Sequence, residues 1–233
     1  MSKLVIIPTF NEIENLQLIV DRVQDQNLDL DILVVDDAST DGTAELADKL
    51  SADPKIHVMH RTSNRGLGPS YIDGFKWAAE RGYEAILQMD ADGSHRPEDL
   101  KAMLAAFDNG ADLVIGSRWV KGGSVVNWPF HRLLLSQGGN SYARILLHLG
   151  VKDVTGGYRV IRVSAFPALQ IDEVESRGYC FQVDITRRAI KAGLKVVEVP
   201  ITFVEREFGE SKMNGEIVRE AMWRVTKWGL GAN

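Results

Sequence analysis

Residues 31–50, DILVVDDASTDGTAELADKL, carry the pattern that decides the fold. Asp31 to Val35 is an apolar run with the length and β-branched content of a buried strand. Asp36 and Asp37 end it, and Thr40-Asp41-Gly42-Thr43 turns the chain into Ala44 to Leu50, a helix for which Thr40 or Asp41 is the expected cap. The same unit stands upstream. There Leu4-Val5-Ile6-Ile7 is stopped by Pro8, and Leu16, Ile19, Val20 and Val23 within Glu14 to Val23 fall at helical spacing. It recurs downstream as a strand Ile56 to His60, a helix Gly68 to Ala79, a strand Ala85 to Met89, a helix Pro97 to Phe107 and a strand Leu113 to Ile115. Strands that alternate with helices predict a mostly parallel sheet covered by helices on both faces.

The fold class is therefore α/β, Rossmann-like over its first half. Beyond residue 116 the periodicity weakens, with Gly122-Gly123, Gly138-Gly139 and Gly156-Gly157 punctuating amphipathic pieces before one late strand, Lys195 to Val199. No linker, repeat or low-complexity tract divides the chain, so residues 1–233 read as a single domain with a first half to about 116 and a second from 117. Hydrophobic residues make up 45% and charged residues 25%, ordinary globular values. The net charge of −5 offers no basic face for nucleic acid, so any basic site must be local. A single cysteine, Cys180, excludes an internal disulfide framework and fits a reducing compartment. Cys180 itself reads as a small buried apolar residue. The N-terminal apolar run is too short for a signal peptide, and no run of about 18 apolar residues predicts a membrane span.

In open α/β sheets ligands bind beyond the carboxyl ends of the strands. Three such exits are polar here: Pro8 to Glu12, Asp36-Asp37 and Asp90-Ala91-Asp92. Asp90 and Asp92 are two apart, so in an extended segment both carboxylates face one side and would hold one ion. Hard oxygen donors suit Mg2+ or Mn2+, with substrate phosphates completing the shell. An isolated Asp-x-Asp reads as well as a solvated turn; its place after a buried strand, beside two other acidic exits, favours the metal. Asp36-Asp37 would accept hydrogen bonds from a base or ribose, or else form a turn before the next helix. Asn64 to Gly68 offers a weak anion cradle ahead of a helix. His95 would lie near the metal or else be an exposed loop histidine, the second reading being favoured. Gln182 and Asp184 would contact sugar hydroxyls or the acceptor, or else Asp184 is a surface residue at a helix start.

These motifs, Val5 to Glu12, Val34 to Thr43 and Met89 to His95, together resemble family 2 inverting glycosyltransferases of the GT-A fold. Gly116-Ser117-Arg118, Asp153 to Arg159, Gly178 to Gln182 and Arg206 to Lys212 extend the likeness to dolichol-phosphate (polyprenol-phosphate) mannosyltransferases, over roughly residues 4 to 218. The resemblance implies mannose transfer from GDP-mannose to a polyprenyl monophosphate. It implies that Pro8, Phe10, Glu12, Val35 and Asp37 hold the guanosine, with Phe10 in place of the more usual tyrosine. Asp90, Ala91 and Asp92 would sit at the diphosphate, the two aspartates on the metal and Ser94 where some relatives carry a glutamine ligand. Arg118, Arg132 and Ser136 would take the acceptor phosphate, Arg118 also reaching the donor, while Arg206 and Lys212 would close on the donor phosphates. Transfer of glucose or N-acetylglucosamine from a UDP donor is the rival within enzymes, and a non-catalytic nucleotide-binding scaffold the rival outside them.

A lipid acceptor calls for contact with a membrane surface. Residues 216–228 place Ile217, Ala221, Val225 and Trp228 on one stripe with Arg219, Arg224 and Lys227 off it, either an interfacial helix or one packed on the core. Trp119 to Leu149 is a second candidate surface, and a membrane-anchoring subunit a further route. The expected location is peripheral, on the cytoplasmic face of the membrane.

Overall fold

The structure, a computed structural model, describes residues 2–63, 66–174, 178–206 and 215–231. Its main sheet has seven strands: β1 (Lys3–Thr9), β2 (Asp31–Asp36), β3 (Ile56–His60), β4 (Ala85–Gln88), β5 (Leu113–Ser117), β7 (Arg159–Arg162) and β8 (Val196–Pro200), in the order β3-β2-β1-β4-β7-β5-β8. Short strands β6 (Ser124–Val126) and β9 (Thr202–Val204) form a second, parallel pair. The helices are α1 (Leu16–Gln24), α2 (Thr43–Leu50), α3 (Leu67–Glu80), α4 (Leu100–Asp108), α5 (Phe130–Leu146), α6 (Phe166–Leu169), α7 (Gly178–Lys191) and α8 (Gly215–Gly229).

The expected strand and helix units of the first half are all present, within one to three residues at their ends. Period-two alternation assigns each strand's side chains to one of two cores. Leu4 and Ile6 of β1 join Leu33 and Val35 of β2 beneath α3, α6 and α7. Val5 and Ile7 join Ile32 and Val34 beneath α1 and α4. The sheet is thus buried on both faces, as its continuous apolar strands require. Before α2 the N-cap is Gly42, at φ 97°, in place of the expected Thr40 or Asp41, and Asp41 Oδ1 accepts the Thr43 N–H at 3.0 Å from the preceding turn.

The second half departs from the expected reading. β7 inserts antiparallel between β4 and β5. Its Arg159 is wholly buried, donating to the carbonyl oxygens of Gly156 and Val154 at 2.8 and 3.0 Å. Burial pushes its guanidinium down to about 9. α5 buries only Asn140 and Ala143 along 17 residues. In α8, Val225 is buried and Trp228 packs against the core with the Arg187 guanidinium 4.6 Å from its ring, so these two stripe residues pack inward. Among its described residues the large apolar side chains that face outward are Met222 and Trp223. Among the described residues no helix is long and apolar enough to cross a membrane.

Candidate active site

Parallel pairing aligns the exits of β1, β2 and β4 along one edge. Pro8 lies opposite Val35 and Thr9 opposite Asp36, which sets Pro8, Phe10 and Glu12 beside Val35 and Asp37. The two loops are bound together: Asn11 Oδ1 accepts the Thr40 N–H at 2.8 Å, and Ser39 Oγ accepts the Asn11 N–H at 3.0 Å. Both loops use left-handed residues, Asn11 at φ 55° and Ala38 at φ 63°. Asp37 is buried, ion-paired to Arg61 and accepting the Gly66 N–H at 2.9 Å. This rigid acidic corner is the candidate nucleoside end.

The β4 exit carries the acidic pair. Gly93, at φ 74°, closes the turn in a conformation that side chains rarely adopt, and the Ser94 N–H then reaches Asp92 Oδ1 at 3.0 Å. Asp92 Oδ2 lies 3.0 Å from Arg206 Nη2. Asp90 Oδ1 accepts a hydrogen bond from the Tyr71 hydroxyl at 3.3 Å. Burial raises the Asp90 carboxyl above its ordinary range, with His95 and Arg206 opposing and Asp92 reinforcing that rise. Burial, then the Asp90 charge, drives the Tyr71 hydroxyl far above its usual value, so it stays a neutral donor.

His95 is buried, which excludes the exposed-loop reading, and its Nδ1 lies 3.9 Å from Asp90 Oδ2. Its Nδ1 accepts the Asp90 N–H at 3.0 Å, its ring stacks on Tyr158 at 4.8 Å, and the edge of Phe203 meets it at 5.5 Å. It therefore anchors the acidic turn through the backbone. Asp184 is also buried, within α7, where it pairs with Arg187 and Arg188 instead of facing solvent. Two residues earlier, Gln182 is buried with neither amide atom partnered among the described residues. A Cβ on Gly157 would lie 3.4 Å from His95 Cε1, 3.8 Å from Asp90 Oδ2 and 3.8 Å from Gln182 Nε2. The glycine pair after Thr155 thus lets β7's approach pass close to the acidic pair.

The expected acceptor residues also gather. Arg118 lies 5.5 Å from the ring of Trp128, and Arg132 lies 4.4 Å from the same ring. Asn140 Nδ2 donates to Ser136 O at 3.0 Å and to Thr155 Oγ1 at 2.9 Å, and Arg118 Nη2 donates to the same Thr155 oxygen at 2.9 Å. Phe203 joins the two halves, with Arg118 5.5 Å from its centroid on one side and His95 on the other. Arg118 differs from expectation in one respect. Its Nε and Nη2 grip buried Asp153 at 2.7 Å each, a fork already filled. Arg132 is paired with Glu205, which sequence reasoning passed over because the contact spans 73 positions. Lys212, expected on the donor phosphates, lies outside the described residues.

Among the described residues no group of three or more His, Cys, Asp or Glu side chains forms a cage for a metal. Asp90 and Asp92 nevertheless fit one. Mg2+ and Mn2+ are commonly held by one or two carboxylates with substrate phosphates as the remaining ligands. The Arg206 cation at Asp92, and the buried Ser94 Oγ with no partner among the described residues, mark where charge and a further oxygen are available.

Residues 4–169 match the family model described as glycosyl transferase family 2. The chain belongs to glycosyl transferase family 2. It is similar to the polyprenol monophosphomannose synthase of Mycolicibacterium smegmatis, 57% identical over 97% of this chain and 86% of that protein. It is similar also to the undecaprenyl-phosphate mannosyltransferase of Micrococcus luteus, 55% identical over the whole chain and 96% of that protein. Among solved structures, glucosyl-3-phosphoglycerate synthase from Mycobacterium tuberculosis, in complex with Mn2+ and UDP-glucose, superposes with a TM-score of 0.70. It covers 100% of this chain and 80% of that one at 15% identity, a likeness of fold. The family 2 hexosyltransferase expected from the motifs, on a GT-A-like sheet, is thereby borne out.

Proposed function

We propose that this protein transfers mannose from GDP-mannose to a polyprenyl monophosphate, with inversion at the sugar carbon. The observation that carries the reading is the cluster about Phe203, where His95, which holds the acidic turn through the Asp90 N–H, and Arg118 both meet its ring and Arg132 lies one ring further, over Trp128. The names of the two mannosyltransferase relatives support the sugar and the lipid phosphate.

Both reactants are anions, and the reading gives each a place. Pro8, Phe10, Glu12, Val35 and Asp37 would hold the guanosine, and Ala91 the backbone between the two aspartates. Mg2+ or Mn2+ on Asp90 and Asp92, with Ser94 adjacent, would neutralise charge on the leaving diphosphate. Arg206 and Lys212 would add donors to the same oxygens, stabilisation that grows as the bond breaks. Arg132 and Ser136 would orient the acceptor phosphate, with Arg118, fixed by Asp153, supplying positive potential behind them. One phosphate oxygen bonds to the anomeric carbon as the carbon–oxygen bond to the diphosphate breaks, and that electron pair leaves with GDP. The attacking oxygen is already ionised, so no general base is needed.

The enzyme would work peripherally at the cytoplasmic face of the membrane, directly or through an anchoring subunit. A screen of radiolabelled GDP- and UDP-sugars against a short polyprenyl phosphate, with and without Mn2+, tests the reading. A mannolipid from GDP-mannose, lost with EDTA, is expected. Product from a UDP-sugar alone would instead assign a glucosyl- or N-acetylglucosaminyltransferase. Donor binding without any lipid product would point to a scaffold.

A further inference from the structure

Glu205 and Arg206 are consecutive at the exit of β9, and consecutive residues there send their side chains to opposite sides. Both oxygens of Glu205 accept from Arg132 Nη1 on α5. Arg206 Nη2 lies 3.0 Å from Asp92 Oδ2 on the acidic turn. The backbone between is pinned, with the Val204 N–H on Ser94 O at 3.2 Å and the Glu205 N–H on Val126 O at 3.1 Å. Two residues therefore tie the proposed acceptor arginine to the proposed metal carboxylate.

The two acceptor arginines are held unequally. Asp153 is fully buried and Arg118 nearly so, and parting such a pair strands a charge without water. The side chains of Arg132 and Glu205 are 19% and 25% exposed, so their pair opens at small cost. A carboxylate and a phosphate monoester compete for the same guanidinium, and so do a guanidinium and a divalent cation for the Asp92 carboxylate.

We propose that Glu205 is a positioning residue that holds Arg132 closed to the acceptor phosphate until a divalent cation takes Asp92 and releases Arg206. The inference rests on the donor and acceptor assignments made above. With Asp92 taken by a cation, Arg206 would turn toward the diphosphate and draw Glu205 off its backbone bond to Val126 O, which frees Arg132. Donor and metal then bind before lipid, and the acceptor phosphate meets an arginine that is open only when there is a sugar to receive.

Calorimetric titration of geranyl phosphate into the full chain tests this, once in EDTA and once with Mn2+ and GDP. The parent protein is expected to bind about tenfold more tightly with Mn2+ and GDP, as for a site open a tenth of the time in their absence. Glu205→Gln should bind tightly in both buffers and, because the coupling is reciprocal, should also bind Mn2+ and GDP up to about tenfold more tightly than the parent. In turnover with saturating Mn2+ and GDP-mannose, where the parent is already open, its KM for the lipid phosphate should match the parent's. Parent affinity indifferent to Mn2+ and GDP would overturn the proposal. So would a tenfold difference that persists in Glu205→Gln, because the cation would then attract the phosphate without the latch. Glu205→Ala serves as the second variant should Glu205→Gln unfold early. Arg132→Ala separates the two levels: loss of geranyl phosphate binding upholds the acceptor assignment, and unchanged binding overturns that assignment and the latch with it.

Discussion

Asp92 and Asp153 are both carboxylates facing an arginine, and their surroundings give them different work. Asp92 meets Arg206 at a turn whose shape depends on Gly93, beside Asp90 whose carboxyl burial has raised. Replacing it by asparagine keeps the turn's size and removes half of the acidic pair. Transfer is expected to fall at least about a hundredfold, the scale of losing one charge-stabilising group, with the urea midpoint nearly unchanged. A rate assay with a Mn2+ titration checks this, and near-parental transfer by folded Asp92→Asn would remove the metal role. Asp153 instead supports structure. Burial would raise its carboxyl, but the charge and hydrogen bonds of Arg118 prevail and hold it below the ordinary value. A depressed carboxyl contributes stability that is complete above its unfolded value and lost as pH falls through the folded one. The pair's contribution should therefore persist at neutral pH and fade below about pH 4. Asp153→Asn should cost about 3–5 kcal/mol at pH 7, because buried Arg118 loses its counter-charge. Urea unfolding at pH 7 and at pH 3 measures both, and an equal cost at the two pH values would contradict the account.

Elements were legible where burial wrote a simple pattern. β1, β2 and β4 are sealed on both faces, so their sequences are unbroken apolar runs. β7 escaped because Arg159-Val160-Ile161-Arg162 begins and ends with charge, and what neutralises Arg159's burial is a pair of carbonyl oxygens that no local pattern shows. α5 escaped because Gly138-Gly139 interrupts it and only two of its side chains are buried. The acidic pair and the residues proposed for the acceptor were visible as motifs. Their partners Asp153 and Glu205 were not, since each pairing depends on strands and helices far apart in sequence. The connection from β5 to β6 shows how an element end shapes the site. A Cβ on Gly123 would lie 2.5 Å from Ser117 O and 2.8 Å from the Arg118 carbonyl carbon, so the chain folds back directly over Arg118. Gly123→Ala must push this backbone aside, at about 1–3 kcal/mol for overpacking. Its lipid-phosphate KM should rise more than its GDP-mannose KM. Equal change in both would show that the loop supports the whole site and not the acceptor side.

At the scale of the molecule, the chemistry occupies one edge of the sheet, and α5 and α8 stand together beyond it. Tyr142 and Thr226 share a hydrogen bond of 2.6 Å between them, and Gly229 lets α8 close on Leu146. α5 carries no Asp or Glu and two arginines, and its Phe130, Leu134 and Ile145 fall on one helical face. Phe130 is 72% exposed, Ile145 74%, and Trp223 on α8 69%. Large apolar side chains grouped with basic ones on surface helices have the chemistry of a segment lying in the headgroup region of a bilayer. Such placement would bring a lipid phosphate to Arg132 at the start of α5 while its chain stays in the membrane. If this face carries the membrane contact, the protein should sediment with phosphatidylcholine–phosphatidylglycerol vesicles, and less so as salt screens the arginines. Phe130→Ser and Trp223→Ser should each weaken partitioning by roughly tenfold, the lower end of what burying one such side chain contributes. Turnover of a water-dispersed short-chain acceptor should change little in either variant, whereas turnover of a long-chain acceptor in vesicles should drop with the partitioning. Vesicle binding unaltered in the double variant would move the membrane contact elsewhere, to an anchoring partner.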